Sequence, residues 1–275
     1  MSKNEFRDKV VIITGAGRGI GKRLAIGFAG AGAKVGLAAR SKSELDLTKL
    51  EIEHAGGTAL HLRADVRNAE SIRSAVERMR AHFGTIHALI CAAGIQGPVG
   101  PFEENPAGAW RETIETNLMG MVNSVAAVLP EMVQGRSGKI IVIGGGGGAK
   151  VRPNFSAYAA SKAAVIRFVE CLAEEVRASN VQINCMAPGG AYTHMTDEIL
   201  KAGEKAGEKE ISEATQVRIT GGVPAAKQVE LAMFLASERS NHVSGKLLHV
   251  QDDWKRLENA SVHPELFTLR RVMKV

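Results

Sequence analysis

Tyr158 and Lys162 are the residues of this sequence best spaced for proton chemistry. Four positions apart, they share one face of a helix. An ammonium beside a phenol favours the phenolate, so Lys162 is expected to draw the Tyr158 phenol toward neutral pH. The spacing alone is weak, because Tyr-x-x-x-Lys arises by chance on any exposed helix. The pair closes a stretch that opens with a run of glycines, Gly144 to Gly148, set directly after the apolar segment Lys139 to Ile143.

A second set of residues suits phosphate. Gly15, Gly19 and Gly21 fall between the β-branched run Lys9 to Thr14 and a helical pattern marked by Leu24, Ala25 and Phe28. Glycines there permit a tight turn and let a phosphate approach the backbone. The following helix N-terminus offers free N–H groups and a positive dipole end. Arg18 and Ile20 belong to the same turn. The end of the second apolar run reads Ala39-Arg40-Ser41. A carboxylate there would bind the ribose hydroxyls of NAD; its absence, with Arg40 and Arg18 as planar cations for a 2′-phosphate, predicts NADP(H).

These residues need a scaffold, and the chain supplies an alternating one. Strands are predicted at 9–14, 34–39, 58–63, 86–91, 139–143, 181–186 and 246–250. Helices are predicted between them, among them 110–129, ended or shifted by Pro130, then 155–178 and 228–235. Ser41 to Glu44 reads as a capping box and Asn68 as a helix cap. The expected fold is α/β: a single doubly wound Rossmann-type domain, with a parallel sheet of about seven strands and helices on both faces. Residues 1–250 would form the nucleotide-binding and catalytic domain, with 188–222 as a substrate loop or lid. Within the charged stretch from Ala202 to Glu213, ion pairs are expected for Lys201 with Glu204 and Lys205 with Glu208. Residues 251–275 form an extension carrying Phe267, Leu269, Arg270 and Arg271, to pack on its own subunit or close a neighbour's pocket.

Bulk properties narrow the function classes. The chain has 275 residues, 45% hydrophobic and 23% charged, with a formal net charge of +6. That is ordinary globular composition. Aromatics at 4% speak against a base-stacking surface, and the basic residues form no dense run, so no nucleic-acid partner is expected. The polar start lacks a signal-peptide core and no window resembles a membrane span, so a cytoplasmic protein without membrane contact is expected. Cys91, Cys171 and Cys185 match no metal spacing and read as reduced, buried thiols. His54, His61, His82 and His87 read as structural or surface groups, and no metal is expected.

With these motifs in order, the chain resembles the short-chain dehydrogenase/reductase family over residues 6 to 250. The resemblance implies that Asp65, with Val66 beside it, meets the adenine. It implies that Ala93 and Gly94 line the cofactor site, although Cys91-Ala92 stands where the family usually has two asparagines. Pro188, Gly189 and Thr193 match the segment that covers the nicotinamide. Tyr158 would exchange a proton with the substrate oxygen, Lys162 would hold the nicotinamide ribose, and Asn117 would position a water behind Lys162. The family's serine, thirteen residues before the tyrosine, is Gly145 here. Backbone N–H groups of the glycine run, another hydroxyl such as Ser156, a water or a substrate group could take its place. Gly145, Gly146, Gln96 and His194 are the candidate substrate contacts. The implied activity is NADP(H)-dependent interconversion of a ketone and a secondary alcohol on a small-molecule carbonyl or alcohol substrate; the glycine run, by removing bulk beside the reacting centre, suits a large or polar one such as a sugar derivative. Alternatives are a nucleotide-binding relative with little turnover, acting as a sensor or scaffold, and an epimerase or dehydratase. The resemblance also implies a homodimer or homotetramer.

Overall fold

In a computed structural model of the chain, residues 5–263 and 265–269 are described; Arg270 and Arg271 of the tail lie outside them. Seven parallel strands form one sheet in the order β3-β2-β1-β4-β5-β6-β7. They are β1 (Val10–Thr14), β2 (Lys34–Ala39), β3 (Thr58–Arg63), β4 (Ala88–Cys91), β5 (Gly138–Ile143), β6 (Val181–Ala187) and β7 (Leu247–His249). Every residue of β1, β4, β5 and β6 is buried. That is why β1 and β4 read as largely apolar runs rather than alternating ones, while β5 and β6 also bury Lys139, Gln182 and Asn184. Successive side chains still face opposite layers: Val11 and Ile13 enter one core, Val10 and Ile12 the other.

Helices α1 (Gly19–Gly30), α2 (Lys42–His54) and α9 (Ala225–Ala236) pack on the first face through Leu24, Phe28, Leu45, Ile52 and Leu231. Helices α3 (Ala69–Phe83), α5 (Gly120–Gln134) and α6 (Ser156–Glu175) cover the second through Val76, Met79, Val125, Val128, Val165 and Val169. Both helix starts are capped where expected: Ser41 Oγ accepts from Glu44 N at 3.3 Å and Asn68 Oδ1 from Ser71 N at 2.9 Å, but the box at Ser41 is not closed, because the Glu44 carboxylate turns to Arg18 instead of the Ser41 backbone. Because β1 neighbours both β2 and β4, chain direction across the sheet reverses there. The crevice beyond the carboxyl ends of β1 and β4 is the position where such sheets bind ligands.

Three expectations need correction. The single helix predicted over 110–129 is α4 (Ala107–Ile114), a π-helical turn (Glu115–Met119) and α5. Pro130 does not end it: α5 continues to Gln134. Ala126, whose carbonyl loses its partner to Pro130, is exposed, as is Pro130 itself, so the missing hydrogen bond falls on the solvent side. The charged stretch divides between α7 (His194–Ala202), a 3-10 turn and α8 (Glu208–Thr220). Lys205 pairs with Glu104 at 2.8 Å rather than Glu208, because the turn breaks the helical spacing that the predicted pairs need. Cys91 and Cys185 are buried free thiols, but Cys171 is exposed on α6.

The described part of the tail packs on its own chain. Leu247 N donates to Phe267 O at 2.7 Å, and Arg167 Nη2 donates to Leu269 O at 2.8 Å. His87 is structural: its Nδ1 accepts from Val10 N at 3.0 Å, and burial pushes its pKa down. Among the described residues, no helix is long and apolar enough to cross a membrane.

Candidate active site

A cleft of about 720 Å³ runs along the carboxyl ends of β1, β2, β4, β5 and β6. The first part of its floor is the turn after β1. Gly15 has φ +70°, and a Cβ there would stand 2.7 Å from Ala93 N. A Cβ on Gly21 would stand 2.2 Å from Gly15 O. Neither position admits a side chain, so the turn lies flat against the β4 loop and leaves the α1 N-terminus open to the cleft. Gly19 and Ile20 line the same wall. The cradle fits a pyrophosphate: a glycine-lined backbone surface at an open helix N-terminus.

The β2 end carries the charged residues. Arg18, Arg40 and Ser41 line the cleft there, as does Asp65 at the end of β3 with Val66. The Arg67 guanidinium grips Asp65, with Nη2 to Oδ2 at 2.7 Å, and holds its carboxyl below the usual range. Sequence reasoning missed Glu44. Its carboxylate reaches Arg18 at 3.5 Å and also lines the cleft, through the close approach of α2 to Gly17.

At the other end the side chains are buried and fixed. Lys162 is 5% exposed and Asn117 is 2% exposed. Asn117 sits in the π-helical turn, which swings its side chain between the β4 loop and α6. It accepts from Ile95 N at 2.8 Å and donates to Ile95 O and Ser161 Oγ, each at 3.0 Å. It stands behind the wall of the cleft, whereas its neighbour Thr116 lines it. Lys162 Nζ donates to Ile143 O at 2.8 Å, and burial pushes its pKa down to about 8.

Tyr158 lies across the cleft from the glycine run. A Cβ at Gly145 would stand 3.0 Å from Tyr158 Oη, so residue 145 faces the phenol oxygen directly. Gly146 is open on all sides, whereas a Cβ on Gly148 would meet the α6 backbone at Lys162, 2.8 Å away. The run therefore has two uses: close packing at its far end and free space near the phenol. The expectation that Lys162 draws the phenol down is not met. Burial pushes Tyr158 up, opposed by the Arg152 guanidinium. Lys162 Nζ donates to the Ile143 carbonyl and lies 5.7 Å from the tyrosine ring centre.

The remaining candidates also border the cleft: Ala93 and Gly94 from the β4 loop, Pro188 and Gly189 after β6, and Thr193 and His194 at the start of α7. Thr193 caps α7 reciprocally with Thr196. His194 is turned toward Glu198, 3.4 Å away. Gln96 is 2% exposed, and its Nε2 has no partner; Thr116 Oγ1 has none either. Both border the cleft, so two buried polar atoms there are unsatisfied by protein. Arg152 and Glu210, also in its wall, were not anticipated. They pair across 58 residues of sequence, beyond the reach of any local pattern.

A doubly wound parallel sheet, a glycine turn at its switch point and a half-buried tyrosine beside a buried lysine define a dinucleotide-dependent oxidoreductase architecture. The short chain dehydrogenase family model matches residues 9–204, and the chain belongs to that family. The 3-oxoacyl-(acyl-carrier-protein) reductase of Escherichia coli strain K12 is 33% identical over 89% of this chain and 96% of its own length. A gluconate 5-dehydrogenase from Burkholderia cenocepacia J2315, solved with NADP and tartrate, superposes with TM-score 0.79 at 28% identity, covering 90% of this chain and 95% of its own. A 3-oxoacyl-(acyl-carrier protein) reductase from Brucella melitensis with bound NAD gives TM-score 0.76 at 27% identity, over 90% of each chain.

Proposed function

We propose that this oxidoreductase is NADP(H)-dependent and interconverts a ketone and a secondary alcohol on a polar, sugar-like substrate. One observation carries the reading. The Tyr158 hydroxyl faces an open pocket beside Gly145, with Lys162 and Asn117 buried and pinned behind it. A nicotinamide, when bound, supplies or accepts the hydride. Tyr158 would then give a proton to, or take one from, the substrate oxygen. Lys162 would turn its Nζ from the Ile143 carbonyl toward the ribose. Asn117 fixes the β4 loop against α6, which holds Gly94 and Ile95 in the cofactor wall. Gln96 Nε2 and Thr116 Oγ1 offer donors to substrate hydroxyls, and Gly145 and Gly146 leave room for them.

The cofactor preference rests on Arg40 and Arg18 and on the lack of a carboxylate at Ala39, the end of β2. Relatives bind either nucleotide, so this local chemistry decides the reading. In keeping with the family, we expect a homodimer or homotetramer, which sedimentation would establish. Gly145 favours a second reading, a nucleotide-binding relative with little turnover, because no hydroxyl stands opposite the phenol. The test is a panel of ketones, sugar carbonyls and alcohols followed at the nicotinamide absorbance. NADPH oxidation by polar carbonyls supports the first reading. Nucleotide binding without turnover, with turnover appearing in Gly145→Ser, would establish the second. Nucleotide still in its original redox state after product forms would instead indicate epimerisation or dehydration.

A further inference from the structure

Tyr158 has two cations near its ring, and only Lys162 belongs to the set that the sequence singles out. The other is Arg152, from the loop between β5 and α6. Its Cζ lies 5.4 Å from the Tyr158 ring centre and 3.9 Å from that of Phe155. The guanidinium is fixed by a two-pronged contact with Glu210 of α8: Nε to Oε1 at 2.9 Å and Nη2 to Oε2 at 2.7 Å. These side chains are only 17% and 16% exposed. A planar fork held this way loses little freedom and is weakly screened.

The same corner joins the lid to the body. Phe155 packs with Ile199 of α7, with Ala206 and with Ala214 of α8, and Tyr158 lies against that cluster. A Cβ on Gly147 would stand in ordinary contact with both side chains, 3.4 Å from Arg152 Cδ and 3.6 Å from Tyr158 Cδ1, so the arginine and the tyrosine lie side by side against the glycine run. Other charged groups in this part of the cleft are Lys150, Lys209, Glu213, His194 and Glu198. Lys209 and Glu213, 4.0 Å apart, are 84% and 63% exposed, and His194 is 56% exposed. Solvent screens them far more than the Arg152 pair. Behind Lys162, the thiols of Cys91 and Cys185 are pushed up to about 12 by burial and stay neutral.

We infer that Arg152, held by Glu210, is a positioning residue that makes Tyr158 ionisation depend on the docked lid. Lid opening would withdraw Glu210, free the guanidinium and change the field at the phenol. The idea rests on Tyr158 being the proton-transfer group, but it can be tested without turnover. The chain has 2 tyrosines, Tyr158 and Tyr192. In a Tyr192→Phe background, tyrosinate absorbance reports Tyr158 alone.

Titrations of the parent, Arg152→Gln, Arg152→Lys and Glu210→Gln should be followed to the onset of alkaline unfolding, monitored by circular dichroism. Arg152→Gln is expected to move the midpoint up by about one unit, and Glu210→Gln to move it down by a smaller amount. Arg152→Lys should recover part of the parent value, which a purely structural role would not do. Equal midpoints, shifts of the same sign in the two charge-removing variants, or a phenol that stays protonated up to unfolding in all four proteins would overturn the inference. Failure here with NADPH turnover intact would leave the proposed function standing. Shifts as expected without turnover would count against the function alone.

Discussion

The two ends of the cleft handle charge in opposite ways. At the β2 end, Arg18 is 57% exposed and meets Glu44 at 3.5 Å, and Arg40 is exposed too. At the β5 end, Lys162 and Asn117 are almost fully buried, and every polar atom of the Asn117 side chain is engaged. Exposed charges act through water and salt, so each moves an affinity by a small factor. Buried groups carry a desolvation penalty that only a specific partner offsets, so each change there is large. The β2 end is therefore suited to choosing between nucleotides, and the β5 end to setting a proton's position.

Substitutions can sharpen or break this contrast. Lys162→Met should give the largest effect of the set, lowering kcat/KM about 100-fold while the fold persists. The same variant has a pH signature. Folding lowers the Lys162 pKa from 10.5 to about 8, so below pH 8 the folded protein carries a buried charge that costs stability on the order of 3 kcal/mol. The unfolded chain holds more protons between the two values. The parent should therefore gain stability relative to Lys162→Met as pH rises from 8 to 10.5, in paired urea titrations. A constant difference would show that the charge is not desolvated.

Gly148→Ser comes next. Its Cβ would meet Ile166 Cδ1 at 2.7 Å and the Lys162 carbonyl at 2.8 Å. Pressing α6 away from the glycine run should cost about 1–3 kcal/mol in urea unfolding. Gly146→Ser, with open space around it, should be close to neutral. The smallest effect belongs to the β2 end. Ala39→Asp should shift the ratio of kcat/KM values from NADPH toward NADH about tenfold, and less at high salt. A shift much larger than that, independent of salt, would contradict the contrast between the two ends.

Most of the sheet was legible because its central strands are buried, largely apolar runs bounded by turn residues, as from Val10 to Thr14 and from Ile140 to Ile143. The glycine turn was legible because Gly15 and Gly21 meet a steric demand that no other residue satisfies. Three features were not. The π-helical turn at Asn117 depends on tertiary bonds to Ile95 and Ser161, which no local propensity encodes. The Arg152–Glu210 pair joins a loop to a distant helix. The direction of the Tyr158 shift depends on burial and on where Lys162 points; spacing along a helix reveals neither.

The central claim is that Tyr158 moves the proton while the glycine turn binds the nucleotide independently of it. Tyr158→Phe, with NADPH affinity read by fluorescence and turnover read at the nicotinamide absorbance on the same preparation, tests that claim most directly. The account predicts unchanged NADPH affinity and turnover lowered by at least about 100-fold. Turnover equal to that of the parent would contradict it.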